Sequence, residues 1–111
     1  MKKTSLMDRL RARKQAPKAA AAVAWYNPEN WFKVKALAED PDRFEETFEA
    51  WLVMARRNIK EMEANGLRAV AVPVEVNELM LWCSINGRAN RASHRAEYAM
   101  WKLSRATPVR G

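Results

Sequence analysis

The chain has 111 residues, which is enough for one domain and too few for a separate catalytic domain. Hydrophobic residues make up 49% and charged residues 30% of the composition, the balance of a globular protein. One cysteine excludes a disulfide framework within the chain, and one histidine excludes most imidazole-based metal and catalytic-triad sites. No apolar segment approaches the roughly 20 residues of a membrane helix, so we expect a cytoplasmic protein with no membrane partner.

The net charge of +7 is concentrated at the two ends of the chain. Residues 1–18 carry seven basic side chains and one acidic, and residues 87–111 carry six and one. Residues 19–86 carry seven basic and eleven acidic side chains. Because Lys and Arg that neutralise phosphates release condensed counterions, this distribution favours DNA or RNA as a partner. The alternative is that the basic ends serve solubility or attract the acidic middle, within one chain or between chains.

Residues 1–24 are predicted to form a disordered basic arm, because few of their side chains could fill a core. We expect the arm to become ordered on a partner. Its phosphate contacts are assigned to Arg9, Arg11, Arg13 and Lys14. The apolar stretch that follows is short, rich in alanine and far from the start, so no secretory signal is predicted.

A compact helical domain is predicted over residues 25–106, followed by a tail at 107–111. Asn27-Pro28-Glu29 supplies an N-cap, a proline for the first turn and an acid, which predicts a first helix over about 28–39. Asp40-Pro41-Asp42 repeats that signal, and the second helix is predicted over residues 41–64. Apolar residues three or four apart give this helix one apolar face: Phe44, Phe48, Trp51, Leu52, Ala55, Ile59 and Met62.

Alternating valines predict a short β-strand over residues 67–74. A single strand cannot satisfy its own backbone groups, and the only other candidate, residues 21–26, is weak. We therefore expect pairing with the same strand of a second copy, in a homodimer. Pro73 has no amide hydrogen, which indicates an edge position or an early end of the ladder.

Two more helices are predicted after the strand. The third covers about 76–86 and ends at Asn86-Gly87, and the fourth, capped by Asn90, covers about 91–106. Small side chains on the fourth helix form a seam that another helix can approach closely: Ala92, Ala96 and Ala99, with Leu103. The predicted fold class is therefore mainly α, with four helices and one short β-strand between the second and third helices.

The fourth helix carries a cationic stripe. Its members stand at offsets of 0, 4, 7, 11 and 14 residues and so share one face: Arg91, Arg95, Tyr98, Lys102 and Arg105. Guanidinium groups match phosphate geometry, and a tyrosine can bond a phosphate or stack on a base. Together with the arm, the stripe is the predicted nucleic-acid-binding surface. The alternatives are a solvated outer face or docking onto the acids of the second helix.

The order strand, helix, glycine-containing turn and helix over residues 67–106 resembles the core of ribbon-helix-helix DNA-binding proteins. Residues 92–97 are similar to the polar start of that family's second helix, which lies near a phosphate. The resemblance implies that strands from two subunits pair and enter the major groove. The chain departs from the family pattern because its strand offers only Arg68 among Val, Ala and Pro side chains.

No catalytic, cofactor or metal-binding constellation is visible in the sequence. Cys83 lies in an apolar helical pattern, which favours an inert buried thiol, and His94 is expected to face solvent or cap a helix. Five tryptophans are expected to supply most of a small core, with Trp25 and Trp31 as candidates for a partner contact.

The leading hypothesis is a small non-enzymatic nucleic-acid-associated accessory or regulatory protein. The alternative is a protein-interaction adaptor or inhibitor that uses aromatic and acidic helix surfaces. An enzyme with dispersed carboxylate chemistry is a third alternative.

Overall fold

A computed structural model describes residues 19–106 of the chain. Within this range two strands and four α-helices follow one another, with a short 3-10 turn at Pro41–Arg43 after the first helix. Their order is β1 (Ala20–Trp25), α1 (Pro28–Ala36), α2 (Phe48–Ala64), β2 (Arg68–Pro73), α3 (Val76–Asn86) and α4 (Ala92–Ala106). None of these helices is both long and apolar enough to cross a lipid bilayer.

The prediction of one strand is wrong, because a second strand, β1, precedes the first helix. β1 pairs in parallel with β2, in a register that runs from Ala20 opposite Arg68 to Trp25 opposite Pro73. Alanine has a low intrinsic preference for strands, and the contacts that β1 makes with β2 and α4 override that preference. The predicted arm, residues 1–24, therefore ends inside a strand, and the folded part begins before Trp25.

The parallel pairing also removes the reason for joining two copies through β2. Its ladder partner lies in the same chain, whereas the ribbon-helix-helix resemblance implied a strand from another subunit. Helix α4 packs along both strands, and α2 contacts β2.

Each of the first two helices begins directly after a residue whose side chain is free to cap it. Asn27 accepts a hydrogen bond from the Asn30 N–H at 2.8 Å and starts α1 as predicted. The second helix begins at Phe48 rather than residue 41, because Thr47 accepts from the Ala50 N–H at 3.0 Å. Asp40 makes no side-chain cap at Pro41–Arg43, so the predicted start gives only a 3-10 turn.

The third helix has the predicted bounds, residues 76–86. It ends at Gly87, which has a φ of +62° and closes the helix in the left-handed conformation that glycine adopts without strain. The first helix, in contrast, ends at Ala36, three residues before its expected end.

The core is aromatic and lies between the sheet and the helices. Trp31, Val34, Leu79 and Tyr98 are fully buried, and the Trp51 ring packs edge-on against Tyr26 at a centroid distance of 5.2 Å. Cys83 is buried here, as expected. The burial of Trp31 and the packing of Trp25 against this core make both part of the folding core.

Candidate functional site

Arg95, at the middle of the predicted stripe, is bound within the chain. Its side chain is 8% exposed, and Nη1 donates to Asp40 Oδ1 and to Asn90 Oδ1, both at 2.9 Å. The guanidinium also lies 4.5 Å from the centroid of the Phe44 ring. A buried charge requires such partners, so Arg95 anchors α4 to the segment around the 3-10 turn.

Asp40 is shared between Arg95 and the first turn of α4. Its Oδ2 accepts a hydrogen bond from the Ala92 N–H at 2.8 Å. Partial burial raises the pKa of Asp40, but the hydrogen bonds from Arg95 and Ala92 and the charge of Arg95 outweigh it and hold the pKa below its usual value. The carboxylate thus acts as an N-terminal cap for α4 instead of starting a helix at Pro41.

Two further stripe residues meet at Glu78. Tyr98 is fully buried and its hydroxyl donates to Glu78, while Lys102 Nζ lies 2.8 Å from Glu78 Oε1 and 2.8 Å from the Pro73 carbonyl. The hydrogen bonds from Lys102 and then from Tyr98 lower the pKa of Glu78. Burial, followed by the neighbouring Glu78 carboxylate, raises the pKa of Tyr98.

The ends of the stripe are exposed. Arg91 pairs with Glu39 at 2.6 Å, and the Arg105 guanidinium lies 5.3 Å from the Trp101 ring with no carboxylate partner among residues 19–106. Three of the four cationic members of the stripe therefore have carboxylate partners within the chain. The four predicted contact residues of the arm lie outside the described residues: Arg9, Arg11, Arg13 and Lys14.

The carboxylate partners of the stripe were missed because they come from two places far from α4 in the sequence. Asp40 and Glu39 follow α1, and Glu78 is on α3. The balance of charge is a signal for such internal pairing: residues 19–106 hold twelve basic and twelve acidic side chains, so the described part of the chain is formally neutral.

A cleft of about 260 Å³ lies along β1 between α2 and α4. Strand residues Ala22–Ala24 form its floor. Met54, Asn58 and Met62 line it from α2, and Ala92 and Ala96 line it from α4. We call this feature the β1 cleft. Tyr26 also reaches it, and burial raises the pKa of this phenol to about 12. Most of the wall is apolar or small.

Along the edge of β1 that faces away from β2, the outward peptide groups have no hydrogen-bond partner among residues 19–106. The Arg68 N–H donates to the Ala19 carbonyl and the Val74 N–H to the Trp25 carbonyl, both at 2.9 Å. Because backbone groups alternate in direction along a parallel ladder, the N–H and C=O groups of Ala20, Ala22 and Ala24 point away from β2.

The free edge of β2 is less open than that of β1. By the same alternation, Pro73 is one of its outward-pointing residues and has no amide hydrogen. Its carbonyl already accepts a hydrogen bond from Lys102. A proline and a lysine are common protections of a sheet edge; the β1 edge has neither.

A third surface lies on the outside of α3 and α4. Leu81 is 61%, Ile85 73% and Trp101 37% exposed. Leu81 and Ile85 are one turn apart, Ile85 is three residues from Trp82, and the Trp82 and Trp101 ring centroids are 6.2 Å apart. We call Leu81, Ile85 and Trp101 the Trp101 surface.

Cys83 and His94, the two remaining side chains with reactive chemistry, lie in surroundings that explain them by folding alone. Burial raises the pKa of the Cys83 thiol. His94 Nδ1 is 3.1 Å from the Ala89 amide nitrogen. Among residues 19–106 no group of three or more His, Cys, Asp or Glu is placed to hold a metal ion. Comparisons of the chain with protein-family models, curated proteins and solved structures give no match.

Proposed function

We propose that the chain is a non-enzymatic protein-interaction module of the adaptor or inhibitor type, and that it acts as a homodimer. The observation that carries this proposal is the Trp101 surface. Leu81 and Ile85 stand out from a helix whose opposite side is firmly buried in the core. Exposed apolar side chains and tryptophans are typical of protein-binding sites.

The chemistry around this surface suggests its partner. Nearby charges are mostly occupied, because Arg88 pairs with Glu97 at 2.9 Å and Lys102 pairs with Glu78. Arg105 is the cation at the rim that has no described carboxylate partner. The fitting partner is therefore an apolar helix face or ridge with a carboxylate at its edge, which would pair with Arg105.

Photocrosslinking in the native cell, followed by binding of the purified partner, tests this function. A photoreactive phenylalanine analogue at position 81 should give a discrete crosslinked protein, and the same analogue at position 53 should not. Val53 is the matched control because it is an exposed apolar residue, 59% accessible, on α2. The purified partner should then bind the full chain, lose binding to Leu81→Asp/Ile85→Asp and keep binding to Val53→Asp. Equal binding to both variants would contradict the proposal.

A second candidate function, nucleic-acid association, is supported by the separation of charge. The described residues are formally neutral, and the whole excess of positive charge lies in residues 1–18 and at Arg110. In this candidate, the arm supplies the phosphate contacts through Arg9, Arg11, Arg13 and Lys14. Salt-dependent binding to duplex and single-stranded DNA or RNA tests it, with the variants described in the Discussion.

A further inference from the structure

We infer that two copies of the chain associate through the free edge of β1, so that their two-stranded sheets join into one four-stranded sheet. The inference rests on the proposed homodimer and assigns its interface, which is separate from the Trp101 surface. The two-stranded sheet packs against α4 and α2, and the open β1 edge offers a way to extend it.

The free edge of β1 is self-complementary. Its outward-pointing peptide groups belong to Ala20, Ala22 and Ala24, which are placed symmetrically about Ala22. In an antiparallel pair with the two-fold axis at Ala22, Ala22 faces its own copy and Ala20 faces Ala24 of the second chain. Each outward N–H then meets an outward C=O, as in an antiparallel ladder.

Side chains along the edge leave room for a second strand. The residues of this edge are alanines, and no charged side chain or proline stands among them to keep another strand away. The β2 edge is a poorer choice, since Pro73 lacks a donor and Lys102 occupies its carbonyl.

The walls of the β1 cleft suit a close approach of the flanking helices. On α4 the cleft is lined by the small side chains of Ala92 and Ala96. On α2 it is lined by Met54 and Met62, whose flexible apolar side chains can adapt to a neighbour. Residues 19–106 of each copy are formally neutral, so this part of the chain adds no net repulsion between the two copies. The proposed pairing also places the two Ala20 residues at opposite ends of the central strand pair, roughly 13 Å apart along the strands.

Light scattering coupled to size exclusion, over about 1 µM to 1 mM full-length chain, is the first test. The expected result is a mass that rises from 12.8 kDa towards twice that value. Ala22→Pro removes the central outward N–H and should weaken dimerisation at least tenfold. Ala71→Pro is the matched control, because Ala71 occupies an outward position at the middle of β2. Ala96→Glu places a charge on the cleft wall without altering the strand, and it should weaken the dimer even if Ala22→Pro does not fold.

Amide hydrogen exchange of the unmodified chain locates the interface directly. In the dimer the amides of Ala22 and Ala24 should become protected as concentration rises, while that of Ala71 should stay unprotected. A monomer at every concentration would overturn both the homodimer and its interface. A dimer whose Ala22 amide exchanges freely would overturn the interface alone, and loss of that dimer in Leu81→Asp/Ile85→Asp would assign it to the Trp101 surface. Failure of partner binding at the Trp101 surface is detected separately, because those substitutions leave β1 unchanged.

Discussion

Asp40 joins two distant parts of the chain by binding Arg95, which lies 55 residues later, through a 2.9 Å contact between Oδ1 and Nη1. The Arg95 side chain is 8% and the Asp40 side chain 24% exposed. The pair fixes the start of α4 against the 3-10 turn, next to the β1 cleft. A residue predicted to contact phosphate thus has a structural partner.

Replacing Asp40 with alanine should reduce the free energy of unfolding by about 3 kcal/mol, because it leaves the Arg95 guanidinium buried without its carboxylate. The Ala92 N–H also loses its acceptor. Glu39→Ala, which breaks the exposed pair with Arg91, should cost no more than about 1 kcal/mol. Urea unfolding followed by circular dichroism measures both changes. Equal losses in the two variants would show that the buried pair is no more stabilising than the exposed one.

Acid should destabilise the fold through Asp40 and Glu78. Their pKa values are lower in the folded chain than in the unfolded chain, so the folded state binds fewer protons. Their stabilisation is complete above the unfolded values of about 4 and is lost as the pH falls through the lower folded-state values. Urea unfolding at a series of pH values should therefore show a declining free energy below about pH 4. Asp40→Asn should flatten this decline, and an undiminished decline in that variant would contradict the role of Asp40.

Both tyrosines of the chain should resist ionisation in the native state. Burial raises the pKa of Tyr26 to about 12, and burial with Glu78 raises that of Tyr98. Because the folded-state values exceed the unfolded value of about 10, the stabilisation is present below pH 10 and is lost as the pH rises towards the folded-state values. Tyrosinate absorbance should be absent in native protein at about pH 10.5 and nearly complete for denatured protein at about pH 11. Half of the full signal in the native protein would mean that one phenol is accessible.

If the arm binds nucleic acid, substitutions in the arm should weaken binding, and substitutions at the two ends of the α4 stripe should not. Replacing Arg9, Arg11, Arg13 and Lys14 with glutamine should reduce the log–log salt slope for duplex DNA by about three to four. Arg91→Gln/Arg105→Gln is the control and should leave the slope unchanged. The reverse result would assign the phosphate contacts to α4. Arg95 is unsuitable for this test because its substitution also removes a buried ion pair.

Local signals predicted the helices well where the capping residue had no other partner. Asn27 and Gly87 cap the helices at their predicted positions, and α3 has its predicted bounds. Asp40-Pro41-Asp42 looked like an equally good start, yet the Asp40 carboxylate binds α4 instead. Sequence spacing describes one element at a time and does not show that competition.

Strand β1 and the carboxylate partners of the stripe were missed for the same reason, because both depend on contacts between elements that are far apart in the sequence. Residues Ala20–Ala24 have little strand preference, and only the parallel pairing with β2 makes them a strand. Helical spacing correctly placed Arg95, Tyr98 and Lys102 on one face of α4. It gave no indication that Asp40 and Glu78 face them from other elements.

The burial of Cys83 has a practical consequence. It is the single thiol of the chain and sits in the core with a raised pKa, so it should react slowly with maleimides and methanethiosulfonates. A cysteine introduced at Val53, an exposed position on α2 outside the proposed strand pair, would then accept a nitroxide selectively, with no need to mutate the native thiol. Pulsed double electron–electron resonance on the labelled protein would then measure the distance between the nitroxides of two associated copies.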